Sequence, residues 1–234
     1  MKVITASDSS LLVVFGDVIA PVLHQQVIGL LHAFQGLRDG RIRNLHPGYA
    51  SLLIDFDPLR MTHAELAARV QELALSEDTR TETSSIVITI PVCYDVEFGP
   101  DLPDVAQHAG LSAAEVIRLH TLPTYLVYFL GFRPGFVYLG GMPEVLHTPR
   151  LTTPRVSIAA GSVGIAGGQT GIYPVDSPGG WRLIGRTPLR MFDPEASPPT
   201  RLQTGDTMRF EAIDRATFEE FQAEPATRNS KLET

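Results

Sequence analysis

YFLGFRPGFVYLGG (residues 128–141) and AGSVGIAGGQTGIYPVDSPGGWRLIGRTPLRMFD (residues 160–193) alternate short runs of strand-forming residues with Gly and Pro turns. Many short strands punctuated in this way predict a small barrel or sandwich. Strands are expected at 122–131, 137–139, 156–158, 164–166, 171–173, 181–185 and 208–213. Glycine costs conformational entropy in an ordinary strand, so its density here implies turns or a close approach of backbone to another group. Two short helices, 101–108 and 112–120, precede these strands. Ser112 caps the second, with Glu115 three residues on.

The preceding residues have a different texture. Residues 11–15 read as a strand, and 18–37 as a helix carrying Val22, Leu23, Val27, Leu30, Leu31 and Phe34 at helical spacing. A hairpin follows, 42–45 and 49–56 around the turn His46-Pro47-Gly48. Thr62 and Glu65 form a capping box that opens a helix to about Leu75, and 85–91 is a β-branched strand. The order βαββαβ predicts a ferredoxin-like sheet with both helices on one face. The expected fold is therefore α+β: a ferredoxin-like domain over 1–91, a β-barrel domain over 92–222 and a polar, disordered tail over 223–234.

Composition narrows the function. Of 234 residues, 44% are hydrophobic and 19% charged, as in a folded soluble protein. A net charge of -7 disfavours nucleic acid and anionic membrane as partners, since both need a positive field. No apolar run approaches the roughly 20 residues needed to span a bilayer, and MKVITASDSS lacks the layout of a signal peptide, so a cytoplasmic location is expected. The single cysteine, Cys93, excludes an internal disulfide. Lys2 and Lys231 are the only lysines and lie at the ends, so an anion must be held by arginine or backbone N–H groups.

Residues 161–171, GSVGIAGGQTG, match neither GxGxxG nor GxxxxGK[ST], and Pro174 and Pro178 exclude a following helix. A phosphate loop is therefore not expected. Gln169 and Thr170, held on this backbone, suit a carboxylate or amide substrate. Arg133 and Arg186 are candidate anion ligands. Phe132, Pro134 and Phe136 share a rigid turn, with both a core role and a partner contact open to them. His120 ends the 112–120 helix, where an imidazole serves either structure or proton transfer. No HxH or HExxH spacing points to a metal site, and no base or GxSxG elbow equips Cys93, Ser162 or Ser177 as a nucleophile.

Residues 91–120, PVCYDVEFGPDLPDVAQHAGLSAAEVIRLH, residues 125–155, YLVYFLGFRPGFVYLGGMPEVLHTPRLTTPR, and residues 160–194 resemble the family of the 5-oxoprolinase B subunit. That family includes the sporulation kinase inhibitor KipI and is also called allophanate hydrolase subunit 1, a carboxyltransferase-type domain. The resemblance implies a small α/β domain followed by a cyclophilin-like barrel. It implies a non-autonomous enzyme subunit, inactive by itself, that opens 5-oxoproline to L-glutamate with two others. One is the C subunit (KipA, or allophanate hydrolase subunit 2-like), and the second is an A subunit of lactam-utilisation type. ATP, with a divalent cation, would be held by that hetero-oligomer and not by this chain alone. The alternatives are a KipI-like inhibitor of a sensor histidine kinase and a component of an allophanate or urea-pathway amidohydrolase. The pattern matches at Gly131, Pro134, Gly135, Phe136, Gly167 to Gly171, Tyr173 and Arg186, which adds Tyr173 to the expected substrate contacts; position 133 varies in similar chains.

Overall fold

The computed structural model describes residues 1–75 and 87–223. Two compact units divide the chain, Met1–Thr83 and Ser84–Thr234. Among the described residues no helix is long and apolar enough to cross a membrane.

The first unit runs β1 (Lys2–Ser7), β2 (Ser10–Val14), α1 (Pro21–Leu37), β3 (Ile42–Pro47), β4 (Ser51–Phe56) and α2 (His63–Ala74). Its sheet is antiparallel throughout, with strand order β1-β2-β4-β3. Alternate residues Leu11 and Val13 of β2 and Leu52, Ile54 and Phe56 of β4 pack with Val27, Leu30, Leu31 and Phe34 of α1 and Leu66 and Val70 of α2. Period-two burial on the strands and helical spacing on α1 and α2 thus converge on one core. The capping box forms as expected: Glu65 N–H donates to Thr62 Oγ1 at 3.2 Å and Thr62 N–H to Glu65 Oε2 at 2.7 Å.

The connectivity departs from the expected βαββαβ. It is ββαββα, and the outer strand beside β2 is β1, supplied from the N-terminus. KVITAS is exposed along most of its length, so this edge strand carries little of the apolar alternation by which strands are recognised. The residues expected to fill that place, 85–91, go elsewhere; of these, 85 and 86 lie outside the described residues. β5 (Val87–Cys93) pairs in parallel with β13 (Thr207–Ile213) over its whole length. Ile90 through Cys93 are buried, as a strand covered on both faces requires.

The second unit is a closed seven-stranded barrel of order β10-β7-β6-β13-β5-β12-β9. Its further strands are β6 (Tyr125–Leu130), β7 (Val137–Gly140), β9 (Ser162–Ala166), β10 (Gln169–Ile172) and β12 (Arg182–Arg186), each at an expected position. β8 (Arg155–Ile158) and β11 (Ser177–Gly179) form a separate two-stranded flap. α3 (Leu102–Ala109) and α4 (Ala113–Thr121) pack on the barrel core through Leu102, Val105 and Val116, and Ser112 caps α4 as expected. An unpredicted helix, α5 (Arg215–Ala223), runs into the start of the expected tail; 224–234 lie outside the described residues.

Val92, Val127, Val137, Leu139, Val163, Ile165, Ile172, Ile184, Met208 and Phe210 form the barrel core. The bore is packed with side chains, as in other small barrels, so a ligand site must lie on the outer wall or at the loops.

Candidate functional site: an aromatic wall outside the barrel

β10 alternates. Thr170 and Ile172 face inward, and Gln169, Gly171 and Tyr173 face outward. The site residues expected along this strand therefore separate onto two faces.

Inside, Thr170 meets His120, and both are fully buried. Thr170 Oγ1 donates to Gly164 O at 3.0 Å, so it accepts from His120 Nε2 at 2.9 Å. That fixes the tautomer, with the proton on Nε2, and leaves Nδ1 to accept from the Tyr94 hydroxyl at 2.8 Å. Tyr125 Oη donates to His120 O at 2.7 Å, and the Phe210 ring stacks on the imidazole at 4.4 Å. Burial depresses the His120 pKa to about 3 and raises those of Tyr94 and Tyr125 above the ordinary phenol value. In this arrangement His120 is a neutral, saturated hydrogen-bonding group of the core. Both nitrogens are committed, which leaves it no proton to exchange with a ligand on the outer wall.

Outside, the glycine signature has a packing explanation. A Cβ on Gly171 would lie 2.5 Å from Val137 O and 3.1 Å from the Trp181 ring; one on Gly164 would lie 3.1 Å from Trp181 Cβ. One on Gly179 would overlap the Tyr173 hydroxyl. These glycines open a recess that seats Phe136, Tyr173 and Trp181 with Ile158, Ala166 and Leu183, and Tyr138 packs against its side. The rings meet edge to face: Phe136 to Trp181 at 5.3 Å, Phe136 to Tyr173 at 5.0 Å and Tyr138 to Trp181 at 5.9 Å. Burial pushes the Tyr173 pKa up to about 12. The Gly167-Gly168 turn joins β9 to β10, and the His147 ring covers Gly168 beside half-buried Gln169.

The turn between β6 and β7 forms one rim. Phe136 N–H donates to Arg133 O at 3.0 Å, Gly131 N–H to Phe136 O at 3.1 Å and Arg133 N–H to Gly131 O at 2.7 Å. Phe136 is buried in the recess, whereas Phe132 is 56% exposed and touches Phe136 and Tyr173 edge-on. The turn thus sends one aromatic into the core and leaves the other on the surface. Pro134 and Arg133 are exposed beside Phe132.

Arg186 stands apart from Gln169. It pairs with Ser162 at one end of β9 while Gln169 pairs with Ala166 at the other, about 13 Å away along the strand. Its Nε donates to Ala160 O at 2.8 Å and its guanidinium faces Phe98. Gln169 and Arg186 do not form one substrate clamp within this chain. Two cations lie on rings of the aromatic wall, Arg150 over Trp181 and Arg133 over Phe132, each at 5.9 Å. Nothing in the sequence marks Arg150, because a lone arginine in the irregular stretch between Leu146 and Arg155 carries no periodic signal.

The flap is latched by Asp101. Its carboxylate accepts Arg155 Nη1 and Nη2 at 2.9 and 2.7 Å and Leu183 N–H at 2.7 Å, and is 5% exposed. Replacing Asp101 by Ala strands the Leu183 amide and uncouples β8, and is expected to cost about 2–4 kcal/mol of unfolding free energy, measurable by denaturant titration. Asp101→Asn, which keeps an acceptor, is expected to lose less.

The chain matches the family described as carboxyltransferase domain, subdomain C and D, over residues 1–202. It is 41% identical to the 5-oxoprolinase B subunit of Bacillus subtilis (strain 168), across 93% of this chain and 95% of that protein. It is 48% identical to the 5-oxoprolinase B subunit of Haemophilus influenzae, across 69% of this chain and 72% of that protein. Among solved structures, TTHA0988 superposes with a TM-score of 0.78 at 34% identity over 88% of this chain, which spans 40% of the TTHA0988 chain.

Proposed function

The chain belongs to the family of the 5-oxoprolinase B subunit, and from that premise we propose that it works in an ATP-dependent 5-oxoprolinase, opening 5-oxoproline to L-glutamate with a KipA-like subunit and a lactam-utilisation-type subunit. The observation that carries the reading is 41% identity extending over 95% of a 5-oxoprolinase B subunit. A packed bore supports a non-autonomous role, because it leaves the outer wall to meet other subunits. In this reading Phe132 and Pro134 contact a partner, Phe136 supports Phe132 from below, and Tyr173 stiffens the recess. Gln169, on the outward face of β10, orients the substrate amide or carboxylate. Thr170 and His120 hold the strand that carries Gln169 in register, in place of the substrate and proton-carrier roles expected for them. Arg186 and Arg133 serve separate surfaces.

ATP is assigned to the other subunits. Triphosphate binding needs backbone N–H groups converging at a glycine loop or helix N-terminus. Here Gly164, Gly171 and Gly179 are packed under aromatic rings, and Gly167-Gly168 turns between strands. These residues do not fit the nucleotide, so no chemical step is drawn through it on this chain. For a divalent cation, no group of three or more His, Cys, Asp or Glu side chains among the described residues is arranged to hold one. A cytoplasmic site of action goes with the use of ATP.

The test is a reconstituted assay. The isolated chain is expected to release no glutamate from 5-oxoproline, and the chain with its two partner subunits to release it only when ATP is supplied. Glutamate formation at the full rate by those two partners without this chain would refute the reading.

A further inference from the structure

We propose that the aromatic wall docks an acidic segment of a partner subunit, whose carboxylates engage Arg133 and Arg150 while an apolar side chain between them lies on Phe132. This deepens the functional reading above and rests on it.

The charge pattern is the first ground. Of the arginines around the wall, Arg155 is neutralised by Asp101 at 2.7 Å and Arg182 by Asp104 at 2.6 Å. Arg133 and Arg150 are exposed, and among the described residues neither has an ion-pair partner, although the chain carries a net charge of -7. Each guanidinium instead rests 5.9 Å from a ring centroid, Arg133 over Phe132 and Arg150 over Trp181. A cation held against an aromatic ring has lost side-chain freedom while keeping its N–H donors for a carboxylate, which lowers the ordering cost of binding.

The two cations lie over one contiguous aromatic cluster, whose Phe136 and Trp181 rings are buried and whose Phe132 ring is exposed. Phe132 meets Phe136 at 5.6 Å and Phe136 meets Trp181 at 5.3 Å, so an aromatic path runs from one arginine to the other. Interfaces concentrate their binding energy in a few exposed aromatic and arginine side chains, here Phe132, Arg133 and Arg150 held on a rigid base.

Phe132 supplies an independent ground. Its backbone lies in the left-handed region at φ 63°, where a bulky side chain is strongly disfavoured. Glycine would satisfy that turn without strain. The strain instead holds a phenyl ring 56% exposed at the rim of the recess, the position an apolar contact across an interface requires. A polyanion such as nucleic acid or an anionic bilayer does not suit the site, because two isolated cations in an acidic chain make no extended positive field.

The experiment co-expresses this chain with the KipA-like and lactam-utilisation-type subunits and measures its association with them in low and high salt, for the wild type, R133E and R133E/R150E. Thermal unfolding and far-ultraviolet circular dichroism confirm folding, and R133E alters only an exposed turn. The expected result is wild-type binding that weakens with salt, at least about tenfold weaker binding of R133E/R150E at low salt with most of the salt dependence gone, and an intermediate R133E. If the wild type assembles and both variants match it in affinity and salt dependence, the docking proposal is overturned while the proposed function stands. If the wild type does not assemble, the proposed function itself fails.

Discussion

Gly171→Ala is expected to destabilise the second unit by about 2–4 kcal/mol and to shift the emission of Trp181, the only tryptophan. The added methyl would lie 2.5 Å from the Val137 carbonyl oxygen, a backbone atom fixed by the β7–β10 ladder, and 3.1 Å from the Trp181 ring. Neither neighbour can yield without parting two barrel strands or lifting the tryptophan from its seat. Gly36→Ala is the matched control. A Cβ there meets nothing within 4 Å inside α1, so helix propensity favours alanine by about 0.5–1 kcal/mol. An unchanged unfolding midpoint for Gly171→Ala would mean that the glycine signature does not serve ring packing.

Acidification from neutral pH is expected to remove the stability that neutral, buried His120 contributes, starting above the ordinary carboxylate range. Its pKa falls from 6.5 in the unfolded chain to about 3 in the folded one, because burial penalises the imidazolium. The folded state therefore stays neutral where the unfolded state binds a proton. Stability from this group is complete above pH 6.5 and is lost as pH falls toward about 3, by up to about 1.4 kcal/mol per pH unit. Asp39, Glu65, Glu115 and Asp214 have pKa values lowered by hydrogen bonds, so their contributions are lost only below the ordinary carboxylate range. Between about pH 6.5 and 5 the Asp206 carboxyl, its pKa raised by burial, acts with the opposite sign, so urea unfolding reads His120 as the difference between wild type and variant. His120→Gln should flatten the dependence in that window; an equal slope in wild type and variant would remove His120 as its source.

Much of the barrel was legible because its strands are short, apolar and bounded by Gly or Pro, so each turn announces itself. The capping residues Thr62 and Ser112 were legible for the same reason, a local chemical rule with a local signature. Strand assignment in the first unit was not. Val87–Cys93 is β-branched and would suit either sheet; its place beside Thr207–Ile213 depends on a partner 120 residues away in the Thr89–Arg209 pair. Lys2–Ser7 has no signature in the sequence because an edge strand needs little apolar surface. At the site, Gln169 and Thr170 looked like one polar pair, yet adjacent residues on a strand face opposite ways. Arg150 and Tyr94 could not be found, since what gives each its role, the Trp181 ring and the His120 Nδ1 atom, is distant in sequence.

Hydrogen exchange on this chain, free and assembled with its two partner subunits, tests most directly whether the aromatic wall is where they meet. The expected result is slowed exchange on assembly across residues 131–136 and 147–151, with β5 and β13 in the barrel unchanged. Equal exchange of both segments in the two states, with protection appearing elsewhere, would contradict it.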